Sequence, residues 1–432
     1  MPAGTRLKGA TLKLETYDIR EKKQCCGCTA CVNICPKQCI EMQEDEEGFL
    51  YPSVNQDICI DCGLCEKICP ELNQKQAKKP IAIYAAKHQN DEIRLSSSSG
   101  GIFFALTEKV IKEKKGVVFG CKYDEDWNVV HSFSETLEGC KAFRTSKYVQ
   151  SNMGNCFKQV KDFLLKGRFV MFTGTPCQIA GLKGFLRKEY DNLLTVEIVC
   201  HGVPSPGVWR KYIEDVKNST LLATPSDFKS KPIITNINFR EKQSNEYNWL
   251  EYGFVIHGKA NLETNQKTTL ISTIYYKAPF MKGFLADLYQ RPSCYKCPAK
   301  ALKSGSDLSI ADYWWIHQVR PDFMDTKGIS LVYVASEFGK KFFESCNIKY
   351  IHTDSAEDIE KGYLFQGAAF HSAKEPKNRK RFFEQWREKD LCLLIDELTK
   401  PTLKKKVYGL LRDIKRNSSF ITHFYLKYIK SI

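Results

Sequence analysis

Residues 25–36 read CCGCTACVNICP and residues 59–70 read CIDCGLCEKICP. The first run sets Cys25, Cys28, Cys31 and Cys35 ahead of Pro36; the second sets Cys59, Cys62, Cys65 and Cys69 ahead of Pro70. Both have the spacing C-x2-C-x2-C-x3-C-P. The chemistry of a four-iron cubane explains it: three thiolates from one tight loop reach three irons, while the next cysteine is carried away on a short helix. Each proline closes its loop where no further amide donor is needed. Between the runs, EMQEDEEGFLYPSVNQD (41–57) predicts a hairpin, with acidic turn residues before Gly48 and a return strand through Phe49 and Tyr51.

The doubled run resembles that of bacterial two-cluster ferredoxins, in which the fourth cysteine of each run ligates the other cluster. The resemblance assigns one 4Fe–4S cluster to Cys25, Cys28, Cys31 and Cys69, and the second to Cys59, Cys62, Cys65 and Cys35. Zinc is the poorer reading, because its sites use four ligands in two CxxC pairs and here eight cysteines and two trailing prolines are in register. Cys26 and Cys39 fall outside that register and read as spare thiols packing nearby.

The chain has 432 residues, enough for two or three domains. Hydrophobic residues at 43% and charged residues at 27% are those of an ordinary globular protein. Residues 1–18 lack the apolar core of a secretory signal and no run approaches the length of a membrane span, so a cytoplasmic address is expected. That address disfavours disulfides and leaves metal ligation as the use for clusters among the nineteen cysteines. The formal charge of +15 points to an anionic partner. A phosphate-bearing cofactor, an acidic redox protein or a membrane surface would serve. Nucleic acid is the poorer explanation, since no recognised binding motif accompanies the charge.

After a polar linker (73–80, NQKQAKKP) the pattern becomes α/β, α+β overall. Strands are expected at 81–88 and 116–124, and a strand followed by a loop over 193–206. A loop entering an amphipathic helix is expected over 96–115, and a second strand–turn–helix over 169–190. Such alternation predicts a largely parallel, covered sheet. Residues 232–275 instead predict an antiparallel insertion, and 376–432 a helical basic tail. The serine run at 96–99 ending in Gly100-Gly101 at a helix start offers amide and hydroxyl donors for a phosphate, or else an ordinary cap. Neither GxGxxG nor GxxxxGK[ST] is present, so no dinucleotide or P-loop fingerprint is found. Cys177, Cys200, Cys294 and Cys297 lie on three loops; they could hold a third cluster, or Cys177 could be a redox thiol and the CxxC a zinc half-site. Cys121, Cys140, Cys156, Cys346 and Cys392 read as isolated buried residues.

The motifs SSSGG (97–101), SKYVQS (146–151), GTPCQIAGL (174–182), VCHGVPSP (199–206), FREK (239–242) and CYKCPAKALKSGSDLSIADYWWI (294–316) resemble, in order, those of the coenzyme F420 hydrogenase/dehydrogenase beta-subunit family. The resemblance divides the chain into an N-terminal extension (1–19), the dicluster ferredoxin domain (20–78), a beta-subunit N-terminal-type region (80–160), a C-terminal-type region (161–375) and the tail (376–432). It implies an FAD-binding α/β domain, a third 4Fe–4S cluster on Cys177, Cys200, Cys294 and Cys297, and hydride chemistry on a deazaflavin or similar substrate. Ser98, Ser99, Gly100, Gly101, Lys147, Gln150, Gly174, Thr175 and Gln178 become flavin-pocket candidates. Ala299, Glu241, Ala311 and Trp315 depart from the family pattern (commonly Phe, Asp, Gly and Gly), and bacterial relatives occur among proteins of cell-surface polysaccharide synthesis, so the substrate stays open.

The expected electron route is substrate, FAD, third cluster, ferredoxin pair and external carrier, in either direction. A non-catalytic relay subunit of a larger redox complex is the alternative. His201 could relay a proton, and Lys147 could lie near a flavin phosphate. Asp312, Trp314 and Trp315 are expected to be packing residues. From Lys400 to Ile432 nine Lys/Arg face one acid, a pattern that fits peripheral contact with an anionic membrane or docking on an acidic partner.

Overall fold

Short acidic–aromatic alternation gives the first pair of strands, β1 (Ile40–Glu44) and β2 (Leu50–Val54), which pair antiparallel as the expected hairpin. The computed structural model describes residues 22–218, 232–243, 246–259, 267–353 and 367–400. The hairpin is flanked by two one-turn helices, Ala30–Ile34 and Leu64–Lys67, one after each cysteine loop.

Apolar runs then alternate with amphipathic segments. β3 (Ala82–His88), β4 (Val117–Tyr123), β5 (Val129–Ser134), β6 (Val170–Gly174) and β7 (Leu193–Ile198) are followed by an excursion, β8 (Ile233–Glu241), β9 (Gly253–Lys259) and β10 (Lys267–Ile274). β11 (Leu308–Asp312), β12 (Ser330–Val334) and β13 (Ile348–His352) complete the set. The excursion forms its own antiparallel sheet, as expected of an insertion.

The main sheet has eight strands in the order β13-β3-β12-β11-β7-β6-β4-β5. The expectation of a largely parallel sheet needs correction: only β11–β7–β6–β4 run parallel. β5 returns from β4 through a tight turn in which Asp124 and Asn128 bond across the chain reversal, and β12, β3 and β13 add antiparallel on the opposite side. The mixture gives the chain both an α/β centre and α+β margins.

Alternate residues of the central strands face two cores. Val118, Met171 and Leu194 pack with the helices Ile102–Lys112 and Glu337–Glu344, while Val117, Phe119, Val170 and Phe172 pack with the helices Cys156–Leu165 and Pro176–Leu186. Cys26, Cys28, Ala30 and Ile68 of the cysteine-rich module belong to this second core. A glycine face on the helix Pro176–Leu186 allows the approach. A Cβ on Gly181 would stand 2.9 Å from Cys28 Sγ, and one on Gly184 2.4 Å from the Ile68 carbonyl oxygen.

The hairpin tip is held as firmly. Ser205 Oγ donates to the Glu47 carbonyl at 2.5 Å, and the Gly207 amide to the Gly48 carbonyl at 3.1 Å. Arg379 grips the Glu47 carboxylate with both terminal nitrogens, at 2.8 and 2.5 Å. The module is therefore built into the domain, although residues 74–80 joining them have neither helix nor strand.

The helices Arg379–Gln385 and Leu391–Thr399 begin the expected tail; residues 401–432, and the extension 1–19, lie outside the described residues. Among the described residues no helix is long and apolar enough to cross a membrane.

The glycine face yields a test. Gly184→Leu drives a side chain into the Ile68 backbone and is expected to cost about 1–3 kcal/mol of stability, by the measured range for overpacked cores. A denaturant midpoint equal to that of wild type would show that the module does not dock on this helix.

Candidate functional site

The two cysteine loops share one backbone conformation. Left-handed residues recur at matching positions, Gly27 (φ 68°) and Thr29 (φ 62°) in the first loop, Asp61 (φ 55°) and Gly63 (φ 65°) in the second. Alternation of this kind turns successive amides inward to form an anion-receiving concavity. Amides of Ala30, Val32 and Glu66 donate towards Cys28, Cys31 and Cys65 respectively.

The thiols gather in three chambers. Cys25, Cys28, Cys31 and Cys69 line the first, and Cys35, Cys59, Cys62 and Cys65 the second. The fourth cysteine of each run thus stands with the other loop's three. Cys177, Cys200, Cys294 and Cys297 line the third, beside Cys26, His201 and Lys300. All nineteen cysteines are free thiols. Two of them join neighbouring chambers: Cys26 lines the first and third, Cys65 the first and second.

The donor chemistry of the third chamber fits a soft metal cluster. Its thiols sit just past strand ends and at a 3₁₀ turn: Cys177 is in the first turn of the helix after β6, Cys200 follows β7, and Cys294 lies within the turn Pro292–Lys296 that Cys297 ends. The Val203 amide donates to Cys294 Sγ at 3.4 Å, and Thr175 Oγ1 contacts Cys177 Sγ at 3.2 Å. Burial pushes the Cys200 thiol up to about 11, and burial with the neighbouring Cys177 pushes Cys297 up to about 12. Cys294 is pushed up by burial, then by Cys200 and Cys297. Thiolates packed this closely repel one another in a desolvated space; bound iron would remove both penalties.

The flavin candidates divide differently. Ser98 Oγ accepts from the Ser146 amide at 2.8 Å, and Ser99 Oγ donates to the Ile329 carbonyl at 3.0 Å. Gly100 is wedged against β3, its absent Cβ 2.6 Å from the Ala86 oxygen, and Gly101 (φ 82°) starts the helix Ile102–Lys112 without a side-chain cap. Lys147 turns its ammonium to the carbonyls of Ala142 and Thr145, 3.0 Å each, and burial holds its pKa down. Gln178 accepts from the Thr175 amide at 2.9 Å and donates to Ser151 Oγ at 2.9 Å, while Gly174 ends β6. Gln150 donates to the Cys26 carbonyl at 3.0 Å. The polar side chains singled out in these motifs therefore brace loops of the chain itself. FREK does the same from behind: Arg240, paired with Asp312 at 3.0 Å, and Lys242 donate to the carbonyls of Ser98 and Ser99. Of the nine candidates only Gln150 lines the cavity of about 330 Å³ whose walls also include Gly27, Thr29, Ser151, Asn152 and Trp209.

His201 stands at the third chamber with Nε2 2.6 Å from Asp287 Oδ1. Three residues were not anticipated. Cys26 hydrogen-bonds Cys177 across 151 positions of chain, which its place beside Cys25 could not reveal. Arg291, three residues before Cys294, is fully buried against the first cysteine loop; a charged residue in RPSCYKC was the available signal. His131 is buried and stacked on Phe172, with Nε2 2.9 Å from the Thr173 carbonyl and Nδ1 2.8 Å from Ser151 Oγ. A carbonyl can only accept, so Nε2 carries the proton and Ser151 donates to Nδ1.

Residues 167–359 match the family described as the C terminus of the coenzyme F420 hydrogenase/dehydrogenase beta subunit, and residues 24–72 match the 4Fe-4S dicluster domain. A 7Fe ferredoxin from Hydrogenibacillus schlegelii is 46% identical over 41 residues, 10% of this chain and 46% of its own. The coenzyme F420-dependent sulfite reductase of Methanocaldococcus jannaschii is 26% identical over 195 residues, 43% of this chain and 29% of the reductase. The chain thus spans less than half the length of each. Among solved structures, a chain of the F420-reducing NiFe hydrogenase complex from Methanosarcina barkeri gives a TM-score of 0.42 at 15% identity, over 67% of this chain and 88% of that one.

The buried His131 predicts acid sensitivity. Burial lowers its pKa to about 4, so the native state holds it neutral while the unfolded chain protonates near the ordinary histidine value. Its contribution is complete above about pH 6.5 and is lost as pH falls towards 4. Between pH 8 and 5 the loss is about 2 kcal/mol. Urea unfolding at both pH values should show that loss shrinking in His131→Gln; an equal loss in both proteins would contradict the assignment.

Proposed function

The chain joins a 4Fe-4S dicluster domain to a domain of the coenzyme F420 hydrogenase/dehydrogenase beta-subunit family, and we propose that it moves electrons along three 4Fe–4S clusters. It is an iron–sulfur electron-transfer protein of oxidoreductase type. The observation that carries the reading is the pair of shared walls. Cys26 borders the third and first chambers and Cys65 the first and second, so the cluster on Cys25, Cys28, Cys31 and Cys69 is the middle station. The cluster on Cys35, Cys59, Cys62 and Cys65 is then the outlet. Its loop exposes Cys62 and the apolar Ile58 and Ile60, 48% and 56% exposed, a surface suited to a redox partner protein.

At the other end, a flavin would exchange hydride with a small molecule and pass electrons singly to the third cluster. The cavity of about 330 Å³ supports its presence: it falls in the size range of small-molecule sites and its wall includes the first cysteine loop at Gly27 and Thr29. Gln150 borders that cavity while holding Cys26, and the uncapped start of the helix Ile102–Lys112 would suit a phosphate of FAD. His201, oriented by Asp287, would hold or release a proton beside the third chamber. The hydride carrier, whether deazaflavin-like or another, and any tie to polysaccharide synthesis belong to this reading. The alternative is a relay subunit without flavin.

Iron, sulfide and flavin counted on protein purified without oxygen test the proposal. About twelve irons, from three cubanes of four, with one FAD are expected, and Cys294→Ser/Cys297→Ser should lower the iron to about eight with the ferredoxin signals intact. About eight irons and no flavin in the wild type would leave only the relay.

A further inference from the structure

Arg291 is a buried charge hydrogen-bonded to the first cysteine loop, and neither the cluster ligands nor the hydride chemistry explains it. It is completely buried. Nε donates to the Cys25 carbonyl at 2.6 Å, Nη1 to Gln150 Oε1 at 3.0 Å and Nη2 to the Leu50 carbonyl at 3.0 Å. Nη2 also points at Cys25 Sγ from 3.6 Å. The guanidinium lies over the Tyr51 ring at 4.0 Å and 5.4 Å from the Phe49 centroid, so aromatic faces complete its desolvated surroundings. Its backbone is fixed too, with the amide donating to Val203 and the carbonyl accepting from Cys294. It thus spans from the base of the third chamber to a thiol of the first.

A guanidinium in this position is always charged. Each electron that enters a cluster adds a negative charge, and a fixed cation in a low-dielectric site stabilises that charge far more than one in water. An N–H aimed at a ligating sulfur acts in the same direction, and hydrogen bonds to sulfur and net charge set cluster potentials. We infer that Arg291 is a positioning residue that raises the reduction potential of the middle cluster, so that electrons are drawn across the boundary between the α/β domain and the ferredoxin module. The inference rests on the dicluster reading and on Cys25 being a ligand of the middle cluster.

A redox titration followed by electron paramagnetic resonance tests it on the full-length protein. In Arg291→Met one of the ferredoxin waves should move to lower potential while the other stays in place, and Arg291→Lys should fall between Met and wild type. Neither wave moving in an Arg291→Met protein with wild-type iron content would overturn the inference, as would both moving equally. Should the Met protein lose the middle cluster, Arg291→Lys decides alone, because an ammonium cannot keep all four contacts; a wave at the wild-type position there would overturn it. A wild-type protein without the two ferredoxin waves would instead sink the dicluster reading, a separate failure.

Discussion

Three consecutive residues, Cys25, Cys26 and Gly27, are clamped between the iron–sulfur module and the α/β domain. Arg291 holds the carbonyl of the first, Gln150 the carbonyl of the second, and a side chain on the third would meet both at 2.8 Å. Gly27 also needs its left-handed backbone, so the position excludes a Cβ twice over. From this clamp follow the orientation of the first loop, the placing of Cys26 against Cys177 and the order of the three chambers. A buried guanidinium left without its acceptors would cost several kcal/mol, which is why the two units are specified together rather than joined by a tether.

Docking surfaces elsewhere serve the same clamp. Glycines at 181 and 184 bring a helix within contact of the loop, and Glu47 at the hairpin tip is held by Arg379. The helix Pro176–Leu186 has a double duty: its first turn offers Cys177 to the third chamber, and its middle accepts Cys28. Motifs that resemble flavin-binding ones form a second layer behind this interface. Arg240 and Lys242 hold the carbonyls of Ser98 and Ser99, while Lys147 and Gln178 each brace their own loops.

What could be read in advance depended on distance along the chain. The cysteine runs state their own chemistry, because ligand spacing within one loop is a local constraint; the hairpin at 40–54 and the strand–helix alternation are local as well. The strand directions were not legible: whether β3 runs with or against β12 depends on a pairing across more than two hundred residues. For Cys177, Cys200, Cys294 and Cys297 a shared cluster stood level with a redox thiol and a zinc half-site until the resemblance favoured it, since three segments far apart carry no common spacing. Cys26 read as spare because its partner is remote, and the bond from the Gln150 amide to the Cys26 carbonyl, which spans 124 positions, left no local trace either.

Dipolar coupling between reduced centres, measured by pulsed electron paramagnetic resonance, addresses the order of the chambers most directly. With the first chamber in the middle, the signal of the proposed third cluster should be split by a neighbour. That splitting should vanish when the middle cluster is removed by Cys31→Ser and persist when the outlet cluster is removed by Cys59→Ser. Splitting that survives loss of the middle cluster, or disappears with the outlet cluster instead, would contradict the account.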